Sequence, residues 1–138
     1  MEAGAEVNKP TDDGSTPLFK AALQGHEAVL RALLEAGADV NKAMDDGCTP
    51  LALAAQNGHE AVVRALMEAG ADVNKADNYS YTPLLQAALN GNEAVVRALM
   101  EAGADVNKAM DDGSTPLLKA AEYGHEAVAQ LLKDAGAA

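Results

Sequence analysis

Apolar residues along this chain fall into short stripes separated by polar punctuation. Leu18, Ala21, Ala22 and Gly25 recur at i, i+3, i+4 and i+7, which predicts one buried face of a short helix. Ahead of that stripe stand Thr16, suited to cap a helix, and Pro17, suited to its first turn because the missing N–H is not needed there. The helix is predicted to end at Gly25. A second helix is predicted from near Glu27 to Ala36, stopped by Gly37 as a left-handed cap. Asp12-Asp13-Gly14-Ser15, just before the first helix, reads as a tight turn. Helices this short are marginal in isolation, since about 12–15 residues are needed for independent stability. The unit therefore needs a neighbour to pack against.

The neighbour is another copy of itself. Thr-Pro-Leu stands at 16–18, 49–51, 82–84 and 115–117, and Gly-Ala-Asp-Val-Asn at 37–41, 70–74 and 103–107, always 33 residues apart. All 12 glycines fall into three columns of the same period. Asp-Gly-x-Thr-Pro-Leu, Ala-Ala-x-x-Gly-His and Gly-Ala-Asp-Val-Asn together resemble the ankyrin repeat, over practically the whole chain. The expected division is a tail of a preceding repeat at 1–11, repeats at 12–44, 45–77 and 78–110, and a shortened C-terminal repeat at 111–138. The resemblance implies an all-α solenoid of stacked helix-turn-helix units with protruding β-turns or hairpins. It also implies that turns and first helices line a concave side, that the module binds proteins, and that no catalytic residues are shared.

Three departures stand out. The histidine usual after Thr-Pro-Leu is replaced by Phe19, Ala52, Leu85 and Leu118. The N-terminal side has no dedicated polar capping repeat, which arrays of this kind usually need, so Leu30 and Leu34 are expected to be partly uncovered. At the other end, Gln130 replaces Arg31, Arg64 and Arg97, and Lys133 stands where Leu34, Met67 and Met100 were, as an end repeat requires.

Comparing the repeats with one another separates framework from variable surface. Residues 60–76 and 93–109 are identical over 17 positions, while repeats two and three differ at nine, all in the turn, the first helix or its exit. Such a pattern suits a consensus-derived or engineered module with a free recognition face. Opposite the buried stripe, the positions predicted to point outward are Lys20, Leu23, Gln24; Leu53, Gln56, Asn57; Gln86, Leu89, Asn90; and Lys119, Glu122, Tyr123. Phe19 and Leu85 are expected on the flank of this strip and Cys48 in an exposed turn. A contiguous apolar strip with a polar rim marks an interaction surface. Incidental or inter-repeat packing is the plainer alternative.

The third turn carries the sharpest signal. Where other repeats have Asp-Asp-Gly-Cys or Asp-Asp-Gly-Ser, it reads Asn78-Tyr79-Ser80-Tyr81. The turn glycine is gone and two of three tyrosines stand at a tip. Breaking a local rule without a folding reason suggests function, and tyrosine offers large amphipathic contact area at low entropic cost. Drift in a tolerant turn is the competing reading.

Composition narrows the partners. The 21 acidic and 10 basic residues give a formal charge of −11, a field that repels nucleic acids and anionic membranes and favours a basic or mixed protein surface. No apolar run reaches the roughly 20 residues of a membrane span, and no signal peptide is apparent. Alanine makes up 31 of 67 hydrophobic residues, which suits thin elements stacked closely.

Candidate chemistry is thin. His26, His59 and His125, with Asn92 in the fourth copy, are locked to the repeat and read as helix-start residues. His-Glu lacks the second histidine of a zinc-protease signature, and the Asp-Asp-Gly turns lack the further carboxylates of a calcium loop. Ser15 and Ser114 have no histidine placed by a recognisable motif. Cys48 reads as a free thiol in a reducing compartment, with an intermolecular disulfide as alternative. No catalytic, cofactor or metal site is expected. The expected function is binding of a protein partner through Tyr79, Tyr81, Phe19, Leu23, Leu53, Leu85, Leu89, Asn90, Tyr123 and Cys48. The alternative is self-assembly through the same leucine-rich strip or the uncapped N-terminal repeat.

Overall fold

The computed structural model describes residues 7–12 and 14–137; residues 1–6 of the expected tail, Asp13 of the first turn and Ala138 lie outside the described residues. Eight helices with described bounds follow one another among the described residues: α1 Pro17–Gln24, α2 Glu27–Glu35, α3 Pro50–Asn57, α4 Glu60–Glu68, α5 Pro83–Leu89, α6 Glu93–Glu101, α7 Pro116–Glu122 and α8 Glu126–Asp134. The first helices α1, α3, α5 and α7 stack in one layer, and the second helices α2, α4, α6 and α8 in another. The fold is an all-α solenoid of helix-turn-helix units. No strand occurs among the described residues, and the tips are hydrogen-bonded turns.

Each first helix starts where its Thr-Pro predicts. Thr16 accepts from the Phe19 N–H at 3.2 Å, Thr49 from Ala52 at 3.2 Å, Thr82 from Leu85 at 3.1 Å and Thr115 from Leu118 at 3.2 Å. Such a cap contributes about 1 kcal/mol. The second helices have no side-chain cap from their starting His26, His59, Asn92 and His125, and the last three of these act elsewhere.

Those residues tie one repeat to the next. His59 Nε2 stands 3.1 Å from the Leu23 carbonyl, and His125 Nε2 2.9 Å from that of Leu89. Each ring must carry its proton there to donate. Asn92 fills the same place, donating to the Ala55 carbonyl at 2.9 Å. The seat is a glycine of the preceding repeat: a Cβ on Gly25 would lie 2.7 Å from His59 Nδ1, and one on Gly91 2.5 Å from His125 Nδ1. The glycine column is thus needed both for its positive φ and for the space it leaves.

Two further ladders run along the array. The Asn8 carboxamide oxygen accepts from the Asp39 N–H at 2.7 Å, Asn41 from Asp72 at 2.9 Å, and Asn74 from Asp105 at 2.8 Å. Arg31 bonds Glu27 in its own helix at 2.9 Å and Glu68 in the next repeat at 3.2 Å, and Arg64 stands 3.0 Å from Glu60 and 3.9 Å from Glu101. These pairs are exposed, so each contributes at most about 1 kcal/mol. The main stabilisation is one continuous apolar core from Leu18 to Leu132. Its inner faces are alanine pairs, Ala21-Ala22, Ala54-Ala55 and Ala87-Ala88, all buried, which let the first helices approach closely.

Candidate protein-binding face

The third turn keeps the backbone closure of its neighbours while exchanging nearly every side chain. The Asp77 N–H donates to the Tyr81 carbonyl at 3.0 Å, as the Met44 N–H does to Cys48 at 2.9 Å and the Met110 N–H to Ser114 at 2.8 Å. In the second and fourth turns the carboxylate that secures the loop belongs to Asp46 or Asp112, each accepting at 2.9 Å from the N–H two residues on. That bond draws the Asp112 carboxyl below the usual carboxylate range, the Ser114 backbone N–H being the main cause. In the third turn this position is Tyr79, which cannot accept. Asp77 takes over from two residues earlier, accepting from Tyr79 N–H at 2.8 Å and Tyr81 N–H at 3.0 Å. Moving the carboxylate from the tip to the base leaves the tip free for an aromatic side chain.

Ser80 completes the exchange. It occupies the turn-glycine column with φ +70°, and is the sole non-glycine residue with positive φ among the described residues. An L side chain there costs of order 1–3 kcal/mol, partly offset by a hydrogen bond from its hydroxyl to Asp111 Oδ1 at 3.1 Å. The turn is also bound to its neighbour, with Asn78 N–H to the Asp46 carbonyl at 2.9 Å and Asn78 Nδ2 to the Asp45 carbonyl at 3.2 Å. A braced, left-handed turn presents Tyr79, 68% exposed.

Around that tip the strip is narrower than the sequence suggests. Leu23 and Tyr123 are exposed, as are Gln24, Gln56, Asn57 and Asn90. Tyr81 is half-buried, and Lys119 pairs with Glu122 at 3.4 Å. Asn90 turns back on its own helix, donating to the Gln86 carbonyl at 2.9 Å. Leu53 and Leu89 are only half-buried rather than fully outward.

Three expectations of exposure are corrected. Phe19 and Leu85 are buried because the first helix of the next repeat covers that flank. The fourth member of their column, Leu118, has no such cover and is 54% exposed; it is an accessible apolar residue that the sequence reading did not single out. Cys48 does not face solvent from its turn but folds inward against Phe19 and Ala52, with its thiol 3.6 Å from the Thr49 carbonyl. Burial, reinforced by the carboxylates of Asp46 and Asp77, pushes the Cys48 thiol up to about 11. It is therefore a poor nucleophile in the folded state.

Among the described residues no three His, Cys, Asp or Glu side chains gather as metal ligands, and no helix is long and apolar enough to cross a membrane. A family model of ankyrin repeats (3 copies) matches residues 1–77 and 74–138. The chain belongs to the ankyrin-repeat family, whose members are generally protein–protein interaction modules and typically non-catalytic. No curated protein matches the chain significantly.

Proposed function

We propose that this chain is a non-catalytic recognition module that engages a protein partner through its turn tips and the exposed side of its first helices. The contact centres on Tyr79, with Tyr81, Tyr123, Leu23 and Asn90 around it. The observation that carries this reading is the rebuilt third turn. Three residues change together there: Tyr79 replaces the securing aspartate, Asp77 restores its bonds, and Ser80 tolerates a glycine conformation. Drift in a tolerant loop does not account for the matched loss and restoration of one carboxylate. The framework identity of residues 60–76 and 93–109 supports a consensus-derived, engineered origin in which this face was the variable part.

The net charge of −11 favours a partner whose contact surface is basic at the rim and apolar at the centre. Phe19, Leu85 and Cys48, being buried, support the strip from beneath rather than contribute to it. Two-fold self-pairing through the leucines is weakened by the burial of Leu85 and the half-burial of Leu53 and Leu89. Leu30, expected to be partly uncovered, is fully buried in the core, and Leu34 is half-buried. The test is affinity capture with the wild-type chain and with a Tyr79→Ala, Tyr81→Ala variant of unchanged thermal stability. The proposal expects a partner that only the wild type retains. Equal retention by both would refute it.

A further inference from the structure

Closing the third turn and presenting Tyr79 leave Ser80 unexplained. Its column otherwise holds Gly14, Gly47 and Gly113, all with positive φ, and Ser80 adopts φ +70° without glycine's freedom. Among residues with a side chain, Asn and Asp visit that left-handed region most readily, because a short polar side chain bonds locally. An asparagine does stand in this turn, but at position 78, where the other repeats have Asp12, Asp45 and Asp111. Neither exchange is needed for closure. Asp77 secures the loop, and glycine would hold position 80 without strain.

Together the two exchanges write Asn78-Tyr79-Ser80, the Asn-x-Ser acceptor of N-linked glycosylation, in which any residue but proline serves in the middle. Of the eight asparagines in the chain, Asn78 alone is followed two residues on by serine or threonine. The placement suits an acceptor. Asn78 is exposed, in the turn between α4 and α5, so that no helix has to unwind to offer it. Its Nδ2 donates to the Asp45 carbonyl at 3.2 Å, and its second N–H meets no acceptor among the described residues. Gly47 leaves the space that this carboxamide occupies, since a Cβ there would lie 2.6 Å from Asn78 Oδ1. Ser80 carries the hydroxyl that the motif requires, held 3.1 Å from Asp111 Oδ1. Cys48 raises no objection: a thiol folded into the core is shielded in an oxidising compartment as well as in a reducing one.

We propose that Asn78 is an N-glycosylation acceptor, with Ser80 kept in a glycine conformation because the acceptor needs its hydroxyl. The donor is an oligosaccharide linked to a lipid pyrophosphate. Asn78 Nδ2 bonds to C1 of the first sugar as the bond from C1 to the phosphate oxygen breaks. The lipid pyrophosphate leaves, one Nδ2 proton passes to solvent, and nothing is oxidised or reduced. The N–H that remains can still donate to the Asp45 carbonyl, so the turn keeps its tie to the preceding repeat. The proposal goes beyond partner recognition and does not depend on it.

The test is incubation of the purified full chain with a eukaryotic oligosaccharyltransferase and a lipid-pyrophosphate-linked oligosaccharide, read by intact mass and peptide mapping. The wild type should gain the mass of one oligosaccharide, located on Asn78. Asn78→Asp and Ser80→Gly each restore the residue of the other repeats and so keep the fold, which matched urea midpoints verify. Each should lose the added mass completely. Both variants retain Tyr79 and Tyr81, so loss of the glycan is separate from loss of a partner. A wild-type chain that stays unmodified overturns the proposal. So does an added mass that persists in Asn78→Asp or in Ser80→Gly.

Discussion

The second and third turns share a backbone and almost nothing else. In the second turn Asp46 at the tip holds the loop, Gly47 takes the left-handed position, and Cys48 packs inward on Phe19 and Ala52. In the third, Asp77 at the base holds the loop, Ser80 takes the left-handed position, and Tyr79 stands out into solvent. One turn spends its side chains on closing the loop and filling the core beneath it. The other achieves the same closure with one relocated carboxylate and releases the tip. The difference shows that a repeat can change what it presents without changing how it folds, provided the backbone donors keep an acceptor.

The comparison breaks most visibly at Cys48. If its thiol is as protected as its packing implies, modification by a thiol reagent near pH 8 should be about a hundredfold slower than for an unfolded chain, two pH units of thiolate suppression. A rate near that of the denatured protein would place Cys48 at the surface after all. The raised value also has a stability consequence. The neutral thiol is favoured in the fold, so this contribution is complete below about pH 9 and is lost as pH rises through 9 towards 11. A Cys48→Ala chain should show a shallower decline over that window when urea midpoints are compared.

Exchanging the left-handed residues comes next. In the second turn a Cβ on Gly47 would stand 2.6 Å from Asn78 Oδ1 and 2.9 Å from the Asn78 backbone nitrogen. Gly47→Ser should therefore destabilise by about 2–3 kcal/mol, combining left-handed strain with a clash against backbone. The reverse change in the third turn, Ser80→Gly, removes strain, a hydrogen bond to Asp111 and some unfolded-state restriction together. Its net effect should stay within about 1 kcal/mol of zero. Equal and opposite shifts in urea unfolding would mean that the two turns are interchangeable.

Asp77→Ala should cost about 1–2 kcal/mol, since two backbone donors lose their acceptor. Asp46→Ala, which releases one donor, should cost about half as much. Amide hydrogen exchange adds a local readout: Tyr79 and Tyr81 should lose protection in the Asp77 variant while Cys48 keeps it.

The fold was almost fully legible because the chain compares itself with itself. Thr-Pro, Gly25 and Gly37 mark helix boundaries through local capping physics, which needs no tertiary knowledge. The face was legible only in part. A helical wheel drawn on one repeat knows nothing of the next repeat, and that neighbour is what buries Phe19 and Leu85 while leaving Leu118 open. Cys48 misled for a related reason: turn position suggested exposure, but its inward direction depends on an apolar pocket made by the preceding repeat's Phe19. Asp77 stands in the column of Met44 and Met110, but its role in the turn required knowing which N–H groups it could reach.

The central claim is that the third turn was rebuilt to present tyrosine to a partner. The most direct measurement is the affinity of the wild-type chain and of the Tyr79→Ala, Tyr81→Ala variant for the captured partner, with urea midpoints matched. The account predicts a loss of at least about 2 kcal/mol, roughly thirtyfold in Kd. An unchanged Kd in a variant of unchanged stability would contradict it.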